Sequence, residues 1–530
     1  MRKSAKLLSM VLAFTFAISF AAGCNGGSSG DGKRILKIAS FEGGYGAQWT
    51  KSLAEAYQKY NNEVTVKVEC NALVRDTAVA AAQSNRTDTD LFFIDGIGVG
   101  SYLENYGSLA DISELYTLSP KAGDKEESGT VADKIRPEIL SEMQYGGDQA
   151  QFRNKYYTAP SPSGPCSIVI NVDAMNNVFG KGNWTEPKTT DELIALCDAI
   201  KAKEATVKVG GVNYQIYPFI YSGKAIEYWR YMYYPWIAQY EGVENWESFV
   251  EVKKDGEYSQ DAYQPAGKEQ AYKVLETIIK RSNDYCDSSS MGNSFSQSQK
   301  YFFQGRACMY VTGDWLEKDL ERSESVPELR MIRTPVLSAL SEKIEEKYNV
   351  SLGSTAAEKD AALSNAVKAV DSGESSYNAL SEEVYGEIKT ARAITYTLAN
   401  SAIGFVPECS KNKDLVIDFL RFMYTDEGIK IVLDECNSYL PVVNAGEITP
   451  TKAISEFRKS INAISGGSVN YIYTSSKDPI RYRAGLDYYM GNEKPEVALG
   501  KKTGAITTAQ LLTKEKSLLS ESWSEYMKKV

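Results

Sequence analysis

An α/β chain of more than one domain is the fold class this sequence predicts, and three observations carry that reading. Near the N-terminus short apolar strands alternate with amphipathic helices. The length of 530 residues exceeds what one core serves, since single hydrophobic cores stop growing at about 250–300 residues. Two or three domains, or one two-lobed body, are therefore expected. A stretch with helical periodicity and no strand signal also lies between regions that carry strands. A hydrophobic fraction of 43 % with 24 % charged residues is that of a globular protein.

In chain order, Ile35 to Ala39 is a short apolar strand, and Trp49, Leu53, Ala56, Tyr57 and Tyr60 then recur at helical spacing. Val64, Val66 and Val68 alternate with polar residues as a second strand, Ala72 to Gln83 is alanine-rich and helical, and Leu91 to Ile94 is a fully apolar third strand. This βαβαβ order implies a parallel sheet with helices on its faces. Ligands bind such sheets beyond the carboxyl ends of the strands, which here points to the loops that begin at Phe41 and Asp95. A second set of elements starts near Thr158. Ser167 to Asn171 is a strand, and Thr189 with Glu192 forms a capping box ahead of the buried stripe Leu193, Leu196, Cys197 and Ile200. Residues Ala225 to Tyr240 hold tyrosine-rich turns with Trp229 and Trp236, and Met309 and Val311 lie on a strand that delivers Trp315 just past Gly313. From about Val336 the composition turns to Ala, Ser, Glu and Lys, and residues 336–391 are expected to form a helical insertion. Ile403 to Pro407 resumes the apolar pattern, Asp414 to Tyr424 is an amphipathic helix, and the last 80 or so residues are helical.

The formal net charge of −10 and the lack of a basic run argue against a nucleic-acid partner, which needs a positive field to neutralise phosphates. There is no histidine, so Ser-His-Asp and Cys-His catalysis are excluded and zinc has almost nothing to bind to. No cofactor is expected. Arg2, Lys3 and Lys6 precede the apolar run Leu7 to Ala22, the pattern of an export signal. Ala21-Ala22-Gly23-Cys24 looks like a bacterial lipobox, which makes residues 1–23 a signal peptide and Cys24 a lipidation site. Residues 24–33 then read as a flexible tether. The other seven cysteines, Cys70, Cys166, Cys197, Cys286, Cys308, Cys409 and Cys436, are odd in number and contain no CxxC, so most should behave as small apolar core residues.

Gly305-Arg306-Ala307-Cys308-Met309 followed by Gly313-Asp314-Trp315 resembles the Gly-x-Ala-x-Met...Gly-x-Trp signature of the family 1 extracellular solute-binding proteins, the sugar-binding components of ABC importers. Tyr157 to Pro160, Ile170 to Asp173 and Pro187 to Leu193 look like that family's passage into its second lobe. Ser410-Lys411-Asn412 with Asp418-Phe419-Leu420 and Thr425 to Gly428 match its late helix. The resemblance implies a periplasmic-binding-protein-like fold: two α/β lobes, hinge strands and a central ligand cleft. It sets the first lobe at 34–158 and 392–438 and the second at 159–335 and 439–530. It also implies a carbohydrate ligand, ABC permease subunits as partners, a lipid anchor on the outer face of the bacterial membrane, a monomer, and no enzymatic activity.

Within that frame Trp315 is the expected aromatic platform under a sugar ring, because a pyranose stacks its C–H face on an aromatic ring while its hydroxyls need polar partners. Glu42 and Tyr45, on the loop after the first strand, and Asp95, at the end of the third, are further ligand candidates. So are Asp314, Tyr439, and the aromatic Tyr228, Trp229 and Trp236; Tyr231 joins them at helical spacing, where all four cannot face one side. Arg75 and Arg481 are not assigned. Two alternatives stay open at this point: a secreted glycosidase-type enzyme, which needs only two carboxylates, and the same fold with a peptide, polyamine or phosphorylated ligand.

Overall fold

The computed structural model describes residues 32–530 except 97, 148, 322, 378, 400–401, 444, 466–468, 474–479, 481–485 and 487–493. The signal segment, Cys24 and Arg481 lie outside the described residues. Two sheets organise the rest. In the first, Arg34–Phe41 runs parallel to both Val64–Asn71 and Leu91–Asp95, with Ala402–Phe405 and then Thr158–Pro160 added antiparallel beyond it. Helices Gln48–Tyr60 and Val74–Ser84 are the crossovers that parallel pairing requires. Leu36, Ile38, Phe92 and Phe405 form a core with Phe419 and Met423 of helix Lys413–Met423, whose apolar residues face inward.

The second sheet places Ala307–Gly313 between Tyr217–Phe219 and Pro165–Asn171, and continues through Ile394–Thr397 to Asn470–Ile472. Ile168, Ile170 and Met309 of these strands pack with Tyr231 and Trp236 of helix Arg230–Glu241. The strand at 394–397 corrects the expectation that the first lobe resumes at 392: Tyr396 pairs with Cys166 and Thr397 with Pro165, so the crossing comes after Thr397. Tyr439, Leu440 and Val442 are likewise in the first core, so the return to the second lobe lies beyond Val442 and not at 439. Phe457 and Ile461, on helix Glu456–Ser465, already pack against Val169 and Tyr310 of the second sheet.

Helices Leu340–Tyr348, Ala356–Asp371 and Glu382–Ala393 build a small core of their own around Leu340, Leu363, Val367 and Ile388. Polar contacts fasten it to the second lobe. Arg392, nearly buried, grips Asp371 through Nε and Nη2 at 2.9 and 2.8 Å and donates Nη1 to the Thr334 carbonyl at 3.0 Å. Thr189 caps helix Thr190–Ala202 as expected, but the return arm shifts by one residue: Glu192 accepts from the Lys188 N–H at 2.7 Å, and the Thr189 hydroxyl donates to Asp360 of the insertion. All seven described cysteines are free thiols, and five of them are buried.

Candidate functional site: a cleft between the lobes

Between the two sheets lies a cleft of about 1150 Å³. The first lobe contributes the loop from Phe41 to Gly46 and the end of the third strand at Asp95, and the second contributes residues around Tyr228 to Tyr231, helix Phe295–Phe303 and Trp315. Ser161 to Ser163, the segment joining the two sheets, forms part of its lining. The carboxyl ends of the first-lobe strands therefore point into the space, as the parallel topology requires. No described residue of 336–391 lines it.

Trp315 stands two residues past the last residue of strand Ala307–Gly313, so the sheet fixes its position. Only 7 % of its surface is exposed, and that is enough to make it part of the cleft wall. Three tyrosine rings meet it nearly at right angles: Tyr45 at 6.2 Å and 74°, Tyr228 at 6.1 Å and 75°, and Tyr231 at 6.3 Å and 84°. Tyr231 in turn stacks on Tyr396 at 5.1 Å. Perpendicular pairs of this kind hold an indole in one orientation, because edge-to-face contact is the favoured aromatic geometry. Gly44 lets Tyr45 reach across. It adopts φ +55°, and a Cβ there would sit 3.3 Å from the Trp315 side chain, so a larger residue would be both strained and crowded.

Asp314 is completely buried and does not line the cleft, contrary to its expected role as a ligand contact. Its carboxylate accepts from the Tyr45 hydroxyl on one side and from Ser438 Oγ, at 2.6 Å, on the other. Tyr45 and Ser438 belong to first-lobe segments, so Asp314 ties the second lobe to the first in two places. Asn437 Nδ2 adds a bond to its carbonyl at 2.8 Å. Burial pushes the Asp314 carboxyl up to about 7, against the pull of the Ser438 and Tyr45 hydrogen bonds. The carboxyl is thus taken up within the protein, where it holds Tyr45 and Ser438 beside the start of the Trp315 segment.

Three aromatic candidates are also core residues. Trp229 is buried against Phe219 and Tyr221, Trp236 donates Nε1 to the Pro335 carbonyl at 3.1 Å, and Tyr439 stacks on Tyr424 and donates to the Pro160 carbonyl at 3.3 Å. Trp229, Tyr231 and Trp236 all belong to the second core, and of these Tyr231, three residues after Tyr228, also reaches the cleft wall with it. Tyr45, Glu42, Asp95, Tyr228 and Trp315 do come together around the cleft. Asp95 stands 3.8 Å from Arg75, another lining residue. Sequence reasoning missed Arg230, Gln299 and Asp319 in the lining, the last two of them hydrogen-bonded at 2.6 Å. The (i, i+3) face that carries Tyr228 and Tyr231 was the available signal for that side of the cleft. Among the described residues, no three carboxylate or thiol side chains gather as a metal ion would require, and no helix is long and apolar enough to cross a membrane.

Several known proteins resemble this chain in sequence or in fold. The diacetylchitobiose binding protein NgcE of Streptomyces coelicolor is 23 % identical over 299 residues, a match that takes in 54 % of each chain, or about half the length of that relative. The ABC substrate-binding protein Lmo0181 from Listeria monocytogenes, solved in complex with cycloalternan, superposes with a TM-score of 0.57 at 13 % identity over 93 % of this chain and 99 % of that one. The GacH receptor of Streptomyces glaucescens, solved unliganded and with acarbose, gives a TM-score of 0.55 at 13 % identity over 93 % and 98 %. At such identities these likenesses establish the two-lobed fold alone. The sequence pattern described as bacterial extracellular solute-binding protein matches residues 52–447, well over half of the 530 residues. With two sheets, crossing segments and an interlobe cleft as its framework, the chain belongs to the bacterial extracellular solute-binding protein family.

Proposed function

We propose that the cleft captures an oligosaccharide and that the protein hands it to an ABC importer permease without changing it. The observation that carries this reading is the make-up of the cleft: an aromatic wall of Trp315, Tyr45, Tyr228 and Tyr231 beside charged and amide groups such as Arg75, Asp95 and Gln299. A sugar offers just these two surfaces, an apolar C–H face and a ring of hydroxyls. The volume of about 1150 Å³ lies above the ~300–1000 Å³ common for small-molecule sites, which favours several sugar units over one. The printed ligands of NgcE, Lmo0181 and GacH support the same class. In this reading Cys24 carries the lipid that retains the mature monomer on the outer face of the membrane, with residues 24–33 as the tether.

A thermal-shift panel of mono- and oligosaccharides tests the proposal, because a ligand that binds only the native state raises its melting temperature by mass action. One or more oligosaccharides should raise it and be recovered unhydrolysed. Trp315→Ala should weaken the best of them by about thirty- to thousand-fold, the effect of losing a hot spot worth ~2–4 kcal/mol. Hydrolysis of the bound sugar would instead identify an enzyme. A melting temperature that collapses while affinity stays intact would make Trp315 a core residue only.

A further inference from the structure

Arg230 opens helix Arg230–Glu241 and lines the cleft beside Tyr228 and Tyr231. Its guanidinium carbon lies 5.8 Å from the centre of the Tyr231 ring, and its Nε is buried without a hydrogen-bond partner. Among the described residues no carboxylate comes within 4.0 Å of it. The buried Glu496 carboxyl feels its charge without pairing with it, and the carboxylates of the cleft are differently placed. Asp95 faces Arg75 at 3.8 Å, Glu227 holds Lys494 at 2.9 Å, and Asp319 accepts from Gln299 at 2.6 Å. Glu42 and Glu324 also line the cleft but are solvent-exposed. Lys300, a second lining cation, likewise has no carboxylate within 4.0 Å among the described residues. The negative side chains of the inner cleft are thus largely engaged within the protein, and a positive one is not.

A guanidinium half-withdrawn from water, with its Nε buried and no carboxylate on its N–H groups, is under-solvated, and an acceptor that arrives in the cleft recovers that cost. A sugar hydroxyl would satisfy one N–H and leave the charge. An oxyanion that presents two oxygens side by side would accept two N–H groups and balance the charge, since the guanidinium fork matches a two-oxygen acceptor. We propose that the solute is an acidic oligosaccharide whose oxyanion, a uronic-acid carboxylate or a sulfate ester, sits on Arg230 while a neighbouring sugar ring stacks on the aromatic wall. This rests on the carbohydrate reading above and adds to it the charge of the ligand. It also makes Arg230 a specificity-determining residue: a carrier with this cleft selects against the neutral sugar of the same shape.

Calorimetric titration of the full chain with three matched disaccharides tests it: one ending in glucuronic acid, one with the neutral glucose in its place, and one carrying a sulfate on that glucose. The acidic ligands should bind about ten- to hundred-fold more tightly than the neutral one, the margin of a charge-assisted bond. Whichever acid binds better identifies the source of the oxyanion. In Arg230→Gln the margin between acidic and neutral ligands should vanish, and in Arg230→Lys part of it should return, with melting temperatures confirming that both variants are folded. Equal or tighter binding of the neutral sugar by the natural protein overturns the proposal without touching the carbohydrate reading. So does an Arg230→Gln that weakens acidic and neutral ligands alike. Failure of every saccharide, acidic and neutral, in this and the thermal-shift panel overturns both.

Discussion

Asp314 holds its proton more tightly than an exposed aspartate, because burial penalises the carboxylate more than the Ser438 and Tyr45 hydrogen bonds stabilise it. Its carboxyl titrates at about 7, well above the ~3.9 of an exposed aspartate. The folded chain therefore binds more protons than the unfolded one between those values. The sign follows: the stability tied to this group is fully present below about pH 4 and is lost as the pH rises through 7. The gap between the two titration points corresponds to a free energy on the order of 4 kcal/mol. Glu496, buried and pushed up to about 7 as well, acts in the same direction, but it is common to the protein and to an Asp314→Asn variant and cancels in their difference. Denaturant unfolding of both between pH 4 and 8 should show the natural protein losing up to that amount relative to the variant. A difference that does not move with pH would remove the assignment. Asp314 also shows what sequence can and cannot supply at this scale. Its place next to Trp315 marked it as special, but only the fold shows that Tyr45 and Ser438 take up its oxygens.

Helix Thr508–Met527 illustrates the scale of the element. Its capping box, Thr507 with Gln510, is visible in the chain, and its helical character was read correctly. What docks it was not legible, since the partner lies some 250 positions away. Glu515 meets Lys268 of helix Ala266–Ile279 at 2.7 Å with side-chain exposures of 1 % and 0 %, and the ammonium also lies 3.9 Å from the centre of the Tyr263 ring. Removing one member of such a pair strands a buried charge, so Glu515→Ala should lose about 3–5 kcal/mol in thermal or denaturant unfolding. Replacing both, Lys268→Met with Glu515→Leu, should recover most of that loss, because apolar substitutes of similar volume are often near neutral. Neither change touches the cleft, and ligand affinity should follow only the folded fraction. If Glu515→Ala unfolds no more easily than the natural protein, the pair does not anchor the helix. The same limit on local reading explains the misplaced boundaries at 392 and 439. Ile394–Thr397 and Tyr439 carry patterns that suit either lobe, and only pairing with Cys166 and Pro165, or packing against Tyr424, decides between them.

For the whole molecule, the chain passes between the sheets after Pro160, after Thr397 and beyond Val442, and a small number of crossings is what permits rigid lobes to rotate about one another. The parallel pairing of the first three strands was legible from strand spacing, because it is a local pattern repeated along the chain. The steric condition at the crossing was not. A Cβ on Gly164 would fall 2.1 Å from Ser438 Oγ and 2.3 Å from Asp314 Oδ2, so glycine is required where the lobes are tied together. If solute draws the lobes shut, small-angle scattering of the natural protein should give a smaller radius of gyration with saturating ligand than without it. Gly164→Ala must push Ser438 and Asp314 apart, a strain of ~1–3 kcal/mol for an added methyl in a packed site. The strain falls on the contact between lobes and leaves both cores intact. Affinity should therefore drop by about five- to hundred-fold, and the unliganded variant should scatter as the more open form. A variant that binds normally and scatters as the natural protein does would show that the Gly164, Ser438 and Asp314 junction is not where closure is held.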